Sequence, residues 1–371
     1  MKKKVLILAG DGIGPEVTQQ AVRVLSAVAD TFDITIEYDH ALIGHSAIEA
    51  SGQALPQETL NKALDSDAIL LGAVGHPVYD NNPKAQVRPE QGLLKIRKEL
   101  ELFSNIRPIK IFDQLIHSSS LKPEVLAGAD ILFYRELTSG IYFGEPRERR
   151  ENGNAAVDTL YYHKEEVSRI VHAAFKAARS RSRRLHSVDK ANVLESSRLW
   201  RETVQEIAVE YPDVDLTHMF IDNAAMQLIR DPRQFDVVVT TNMFGDILTD
   251  EASQIAGSLG MLASASVGKR TGLYEPVHGS APDIAGQDIA NPIATILSVA
   301  LMFEIAFENS EAGKLIFNSV EKFLEDGFRT RDIASQDTDR EKIFGCKACG
   351  DEIIKNINVL KPTIINAITT I

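Results

Sequence analysis

Cysteine is nearly missing from this chain: two residues, Cys346 and Cys349, in 371. Two thiols cannot build a disulfide framework, and a reducing, cytoplasmic setting is expected. Their Cys-x-x-Cys spacing has no second pair of ligands beside it, which sets aside a structural zinc site. Positive charge is also in deficit. With 40 basic against 52 acidic residues the net charge is −12, so neither a general nucleic-acid binder nor a membrane-surface protein is expected. Long apolar runs are lacking. The longest, Ile293 to Phe307, is interrupted by Glu304 and falls short of the ~20 residues of a membrane span; it reads as a buried helix. Met1-Lys-Lys-Lys and the apolar run after it resemble a signal peptide, but Gly10-Asp11 ends the run too early. The chain shows no low-complexity tract, no internal repeat and no long linker. A Rossmann fingerprint is absent too: Gly10, Gly12 and Gly14 follow the first strand with the wrong spacing for GxGxxG.

What is present is the composition of a globular protein, 44% hydrophobic and 25% charged, long enough for two domains. Strand and helix patterns alternate, as in an α/β fold. Strands are expected at 5–9, 34–38, 68–73, 129–133, 186–188, 217–221 and 237–240, on apolar and β-branched runs. Helices are expected from Pro15 with Glu16 in the first turn, and over 57–64, 92–102, 164–179 and 197–210. A helix is also expected after Asn242, placed as its cap, and two more lie between 293 and 324.

Several side chains sit awkwardly for mere packing. Asp246 and Asp250 are four apart on the helix after Asn242, so both carboxylates share a face. A cation between them would suit Mg²⁺ or Mn²⁺; on spacing alone, two solvated aspartates explain them as well. Arg97, Arg107 and Arg135 lie near apolar segments, where arginines seek anionic partners. Lys190 follows a strand and precedes a helix, a position for a general base, although such lysines are commonly just exposed. Residues 272–286 are rich in Gly, Pro, Ser and Ala, with Glu275, His278 and Asp283 among them, as in a ligand-cradling loop. The basic cluster Arg179–Arg184 ends a helix, where cations complement the dipole.

Seven stretches, in order along nearly the whole chain, resemble the isopropylmalate/isocitrate dehydrogenase family. They are Gly10-Asp-Gly-Ile-Gly-Pro-Glu-Val17, Leu94–Leu100, Asn105-Ile-Arg-Pro108, Arg135-Glu-Leu-Thr, Asp189-Lys-Ala-Asn-Val-Leu, Asn242-Met-Phe-Gly-Asp-Ile-Leu and Glu275–Gly286. The resemblance implies two α/β domains that are not Rossmann folds. The first is discontinuous, about 1–102 and 257–371; the second, about 103–256, carries the metal site and the dimer contact. Active sites in this family lie between the domains and are completed by a second subunit, so a homodimer with shared sites is expected.

By the same resemblance, NAD is held by loops, with Ile13, Glu90, Asn192, Glu275, His278, Gly279, Ser280, Ala281, Asp283, Ile284 and Asn291 toward it. Asp283 is expected to accept from the adenosine ribose and to repel a 2′-phosphate. Arg97, Arg107 and Arg135 bind the two carboxylates of a malate substrate. Asp222, Asp246 and Asp250 hold Mg²⁺ or Mn²⁺, with Asp222 and Lys190 coming from the other subunit and Asp222 also facing the substrate. Lys190 takes the hydroxyl proton as hydride leaves, and Tyr142 protonates C3 after decarboxylation. Leu93 and Leu94, with Val193 of the second subunit, form an apolar pocket for an isopropyl group, where isocitrate enzymes carry hydroxyl and amide groups. The expected reaction is oxidative decarboxylation of 3-isopropylmalate in leucine biosynthesis. A relative acting on isocitrate, homoisocitrate or tartrate, or a non-catalytic subunit, is the alternative. The chain departs from the family at Ala9, Ala263 and Ser139, in the Gly75-His-Pro-Val-Tyr79 loop and after Val359.

Overall fold

A computed structural model describes residues 1–369 except 80, 81, 83 and 84, with side chains as far as 361. The chain starts with Lys2–Gly10 (β1), Gly14–Thr31 (α1), Thr35–His40 (β2), His45–Ser51 (α2), Gln57–Leu64 (α3), Ala68–Ala73 (β3) and Pro89–Glu99 (α4). There follow Ser104–Lys110 (β4), Pro123–Leu126 (α5), Asp130–Glu136 (β5), Glu148–Arg150 (β6), Ala155–Val157 (β7), Lys164–Arg179 (α6) and Arg184–Asp189 (β8). Next come Glu195–Ala208 (α7), Asp215–Phe220 (β9), Ile221–Arg230 (α8), Val237–Thr240 (β10) and Asn242–Ala256 (α9). Ala263–Val267 (β11), Gly272–Pro276 (β12), Ile293–Ile305 (α10), Ser310–Glu325 (α11) and Cys346–Thr369 (α12) complete it.

These elements gather into two compact units. One comprises Met1–Leu100, Phe112–Ser118 and Gly257–Ile371; the other comprises Glu101–Ile111 and Ser119–Ala256. In the first, the strands run β2-β1-β3-β12-β11, parallel except for the β11–β12 pair. Helix α10 is apolar on every side and buried along nearly its whole length, covered by the sheet and by α1 and α11. This is the burial expected of the Ile293 run, since a helix without a polar face needs protein around it. No helix among the described residues is long and apolar enough to cross a membrane.

In the second unit the order is β4-β5-β10-β8-β9, antiparallel only between β4 and β5. Strand β10 is Val-Val-Val-Thr, buried at all four positions, as suits a central parallel strand covered on both faces. Helices α6 and α7 cover one face with Val167, Ile170, Phe175, Val204 and Trp200. Trp200 is fully buried, donates to Ser187 Oγ at 3.2 Å and meets Tyr162 edge-on at 5.8 Å. Helix α9 lies over β4 and β5.

Three local expectations need correction. The helix expected over 92–102 begins earlier, at Pro89, whose fixed φ suits a first helical position; it stops before Glu101, whose φ is +52°. The strand expected to end at Ile221 ends at Phe220, and 221–230 is a helix with Asp222 in its first turn. Ala224 and Leu228, four apart, are its buried face. Residues 272–276, expected to open a loop, are instead the buried strand β12, so the loop begins only after Pro276. The segment after Gly345, for which no element was expected, is a helix whose first turn holds both cysteines, each buried. Truncation of Trp200 to alanine should cost about 3–5 kcal/mol of stability; a denaturant midpoint equal to that of the unaltered protein would contradict this packing.

Candidate active site

Parallel strands deliver their C-terminal ends to one side, where α/β proteins place ligands. In the second unit, Arg135 near the end of β5 pairs in register with Thr240, which itself pairs with Val188, two residues before Lys190. The loop after β5 carries Tyr142 in a single helical turn, Gly140–Tyr142, and Asn242 opens α9 beyond β10.

Here the side chains converge. Arg135, 2% exposed, donates from Nη2 to Asn242 Oδ1 at 2.8 Å and from Nε to Asn242 O at 2.9 Å. Its Nη1 binds Asp246 Oδ1. Tyr142 donates its hydroxyl to Asp246 Oδ2 at 2.9 Å. Arg107 donates to Asn105 Oδ1 and to Thr249 Oγ1, both at 2.6 Å, and its guanidinium lies 3.6 Å from both Asp246 and Asp250. The two aspartates therefore do share a helix face, and in the single chain arginines answer their repulsion. The Tyr142 hydroxyl is held above its usual range by burial first, and by the charge of Asp246 next. Burial likewise raises Asp250, with Arg107 opposing it.

Lys190 and Asp222 form a separate pair, Nζ to Oδ1 at 2.5 Å, and this bond keeps the Asp222 carboxyl below its usual range. The chain does not gather Asp222 with Asp246 and Asp250. Among the described residues, the one trio of metal-type ligands within 4.8 Å of each other is Glu16, Asp288 and Cys346. That trio has a local explanation. Asp288 accepts from Cys346 N through its carbonyl and from Lys347 N through its carboxylate, which caps α12. Glu16 accepts from Gly286 N. Burial, with both carboxylates, pushes the Cys346 thiol up to about 12, the protonated form that metals bind poorly. Asn192 and Val193 are exposed in the turn after Lys190.

In the first unit the glycine turn and the loop after β12 meet. Ile13 N donates to Ser280 O at 2.8 Å. A side chain at Gly12, whose φ is +57°, would put its Cβ 2.0 Å from that same oxygen, so only glycine allows the approach. Ile13 packs with Ala281 and Ile284. His278 donates from Nδ1 to Gly279 O, leaving Nε2 buried without a partner; burial lowers its pKa, so the free nitrogen is an acceptor. Asp283 is exposed. Asn291 accepts from Ile293 N at 2.9 Å and donates to Asp332 at 3.1 Å. On α4, Glu90, Leu93, Leu94 and Arg97 follow at helical spacing on one side. The leucines are half-buried, and buried Arg97 bonds Glu275 at 2.6 Å. An expected substrate arginine and an expected cofactor-loop glutamate are thus partners.

Residues not singled out in the sequence also hold these loops. Asp11 accepts from His45 N, Ser46 N and Gly75 N. Glu136, fully buried, accepts from Thr138 N and Ser139 N at 2.9 Å. Asp332 accepts from Ser258, Asn291 and Thr330. Asp11, next to the glycines, and Glu136, next to Arg135, stood inside the family-like stretches, although nothing there marked their partners; Asp332 had no such signal. In the divergent 75–79 loop, His76 stacks on His45 at 4.1 Å and Tyr79 OH lies 3.1 Å from His45 Nδ1.

The fold is similar to that of a solved isocitrate dehydrogenase from Methylococcus capsulatus. The match has a TM-score of 0.84 and 32% identity, over 96% of this chain and 99% of that one. A beta-decarboxylating dehydrogenase from Thermococcus kodakarensis matches at 0.76 and 33%, over 96% and 97%. The family model for Isocitrate/isopropylmalate dehydrogenase matches residues 4–353, and the chain belongs to that family. Proteins named 3-isopropylmalate dehydrogenase are more similar still. That of Shouchella clausii is 58% identical over 90% of this chain and 92% of its own length. That of Sulfurimonas denitrificans is 56% identical over 90% and 93%, and that of Aquifex aeolicus 54% over 97% and 99%.

Gly245 faces Arg135: an added Cβ would lie 2.6 Å from its Cγ and 2.8 Å from its Cβ. Gly245→Ala should therefore destabilise the protein by about 1–3 kcal/mol, and an unchanged thermal midpoint would refute the close packing.

Proposed function

We propose that the chain catalyses the oxidative decarboxylation of 3-isopropylmalate to 2-oxo-4-methylpentanoate with reduction of NAD, a step of leucine biosynthesis. The observation that carries this reading is identity of 54–58% over at least nine-tenths of the chain to proteins named for that activity. The site chemistry agrees with it. Arg107 and Arg135 offer the fixed guanidinium forks that a dicarboxylate needs. On α4, half-buried Leu93 and Leu94 offer apolar surface next to Arg97, which favours an isopropyl group over the third carboxylate of isocitrate.

Asp246 and Asp250 form an all-oxygen donor pair, with partly exposed side chains and a mutual repulsion that a cation would relieve. This fits Mg²⁺ or Mn²⁺. Such an ion supplies Lewis-acid polarisation of the substrate oxygens. Asp222 and Lys190 of a second copy would complete the set in a homodimer. Exposed Val193, Met226, Ile229 and Ile247, on α8, α9 and the Lys190 turn, favour such a partner, since apolar groups on neighbouring elements gain from being covered. Val193 would extend the isopropyl pocket. Arg107 and Arg135 orient the substrate, Lys190 takes the C2 hydroxyl proton as hydride leaves C2, the bond from C3 to its carboxylate breaks to release CO₂, and Tyr142, protonated at neutral pH, gives a proton to the C3 so exposed. NAD would lie along Ile13, Glu90, Asn192, Glu275, His278–Ala281, Ile284 and Asn291, with His278 Nε2 a free acceptor and Asp283 near the ribose 2′-hydroxyl. The reaction would take place in the cytoplasm.

Turnover of 3-isopropylmalate, isocitrate, homoisocitrate and tartrate with NAD and Mn²⁺ tests the proposal. 3-Isopropylmalate should be oxidised fastest, and faster oxidation of any other member would overturn it. Asp283→Lys should raise the NADP-to-NAD ratio of kcat/KM by about tenfold or more, the equivalent of about 1.4 kcal/mol. An unaltered ratio would place the discrimination elsewhere.

A further inference from the structure

Asn242 is fully buried, yet none of its bonds serves as the cap that its place before a helix suggests. Its Oδ1 accepts from Arg135 Nη2 and Nε, at 2.8 and 3.2 Å. Its Nδ2 donates to Ser139 O at 3.1 Å, and its backbone N donates to Tyr162 OH at 2.9 Å. The chemistry allows one orientation of the amide, because a guanidinium only donates and a carbonyl only accepts. We infer that Asn242 is a positioning residue, which holds the Arg135 fork and the Tyr142 loop in register with the helix that carries Asp246.

The loop is held on either side of this bond. Glu136 fixes Thr138 and Ser139 through their N–H groups, and Gly140 N donates to Tyr161 O at 3.0 Å. Gly140 has φ +77°, and a Cβ there would lie 2.5 Å from Tyr162 OH. Tyr162 thus touches both the loop and the start of α9. The Ser139 carbonyl is the point where the loop is tied to that start by a side chain. Tyr142 reaches Asp246 from this loop, so freeing Ser139 lets the hydroxyl leave the carboxylate. A side chain of similar shape without the amide would leave the guanidinium and a carbonyl short of partners.

The inference rests on the proposed reaction for its kinetic part only. Asn242→Ala and the nearly isosteric Asn242→Asp are prepared in the full chain and compared with the unaltered protein. The first readout needs no turnover: crystal structures of the variants. In both, the Ser139–Tyr142 loop should be displaced from the start of the helix, so that the Tyr142 hydroxyl no longer lies within hydrogen-bond distance of Asp246 Oδ2 as it does in the unaltered chain. The second is kinetic. Asn242→Asp keeps an acceptor for Arg135 and loses the donor to Ser139, so kcat for 3-isopropylmalate should fall about ten- to a hundredfold with KM little changed. Asn242→Ala should raise KM as well, and neither should alter KM for NAD. A folded variant that keeps the Tyr142–Asp246 hydrogen bond, or the original kcat and KM, overturns the inference, whatever its melting temperature. Should the alanine variant not fold, the aspartate variant carries both readouts. If the unaltered protein does not oxidise 3-isopropylmalate, the proposed function fails and the position of the Tyr142 loop alone decides the role of Asn242.

Discussion

A guanidinium buried to 2% exposure must be neutralised and have its donors used, because an uncompensated buried charge costs several kcal/mol. Arg135 meets this requirement with Asp246 for charge and Asn242 for geometry. Much of the second unit follows from it. Helix α9 has to start where Asn242 can reach Nη2, and has to bring Asp246 round one turn later. Gly245 has to lack a side chain so that the helix can pass over Arg135. Strand β10 has to end in register with Arg135, as it does through Thr240. A shift of one residue in that pairing would turn these side chains to the opposite face of the sheet.

The same balance connects structure to chemistry. In the single chain, Arg107 and Arg135 are turned toward Asp246 and Asp250, so cations and anions are matched before any ligand arrives. In the proposed reaction, Asp246 and Asp250 would hold a divalent ion that neutralises them, leaving Arg107 and Arg135 for the substrate carboxylates. Tyr142 is bonded to Asp246, and burial together with the adjacent charge keeps its proton on. The proposed role of this hydroxyl as a proton donor to carbon is well served by that environment.

The first unit solves its problem with backbone instead. The turn at Gly12 packs its Cα against Ser280 O, and Ile13 N closes the contact. Two loops are thereby joined without the helix-and-strand crossover of a Rossmann site. Asp11 and Asp332 each gather three donors from separate segments, so carboxylates serve here as ties between loops.

Local signals were enough for much of this. The β-branched run at 237–240, the predominantly apolar run after Pro292 and the four-residue spacing of Asp246 and Asp250 each depend on neighbours in sequence, and their periodicity sets strand, buried helix and shared face. Boundaries were weaker: the helix at 221–230 was read partly as strand because Ile221 continues an apolar run before its helical spacing shows. Partnership could not be read at all. Nothing near residue 242 in sequence reveals that its amide serves Arg135 and Ser139, more than one hundred residues away, or that Arg97 pairs with Glu275. The sequence by itself determined which residues carry charge and on which face of which element. The tertiary structure alone decided which of those charges meet. Hydrogen bonds and ion pairs act over a few ångströms in space, and chain order does not encode that distance until the sheet is assembled.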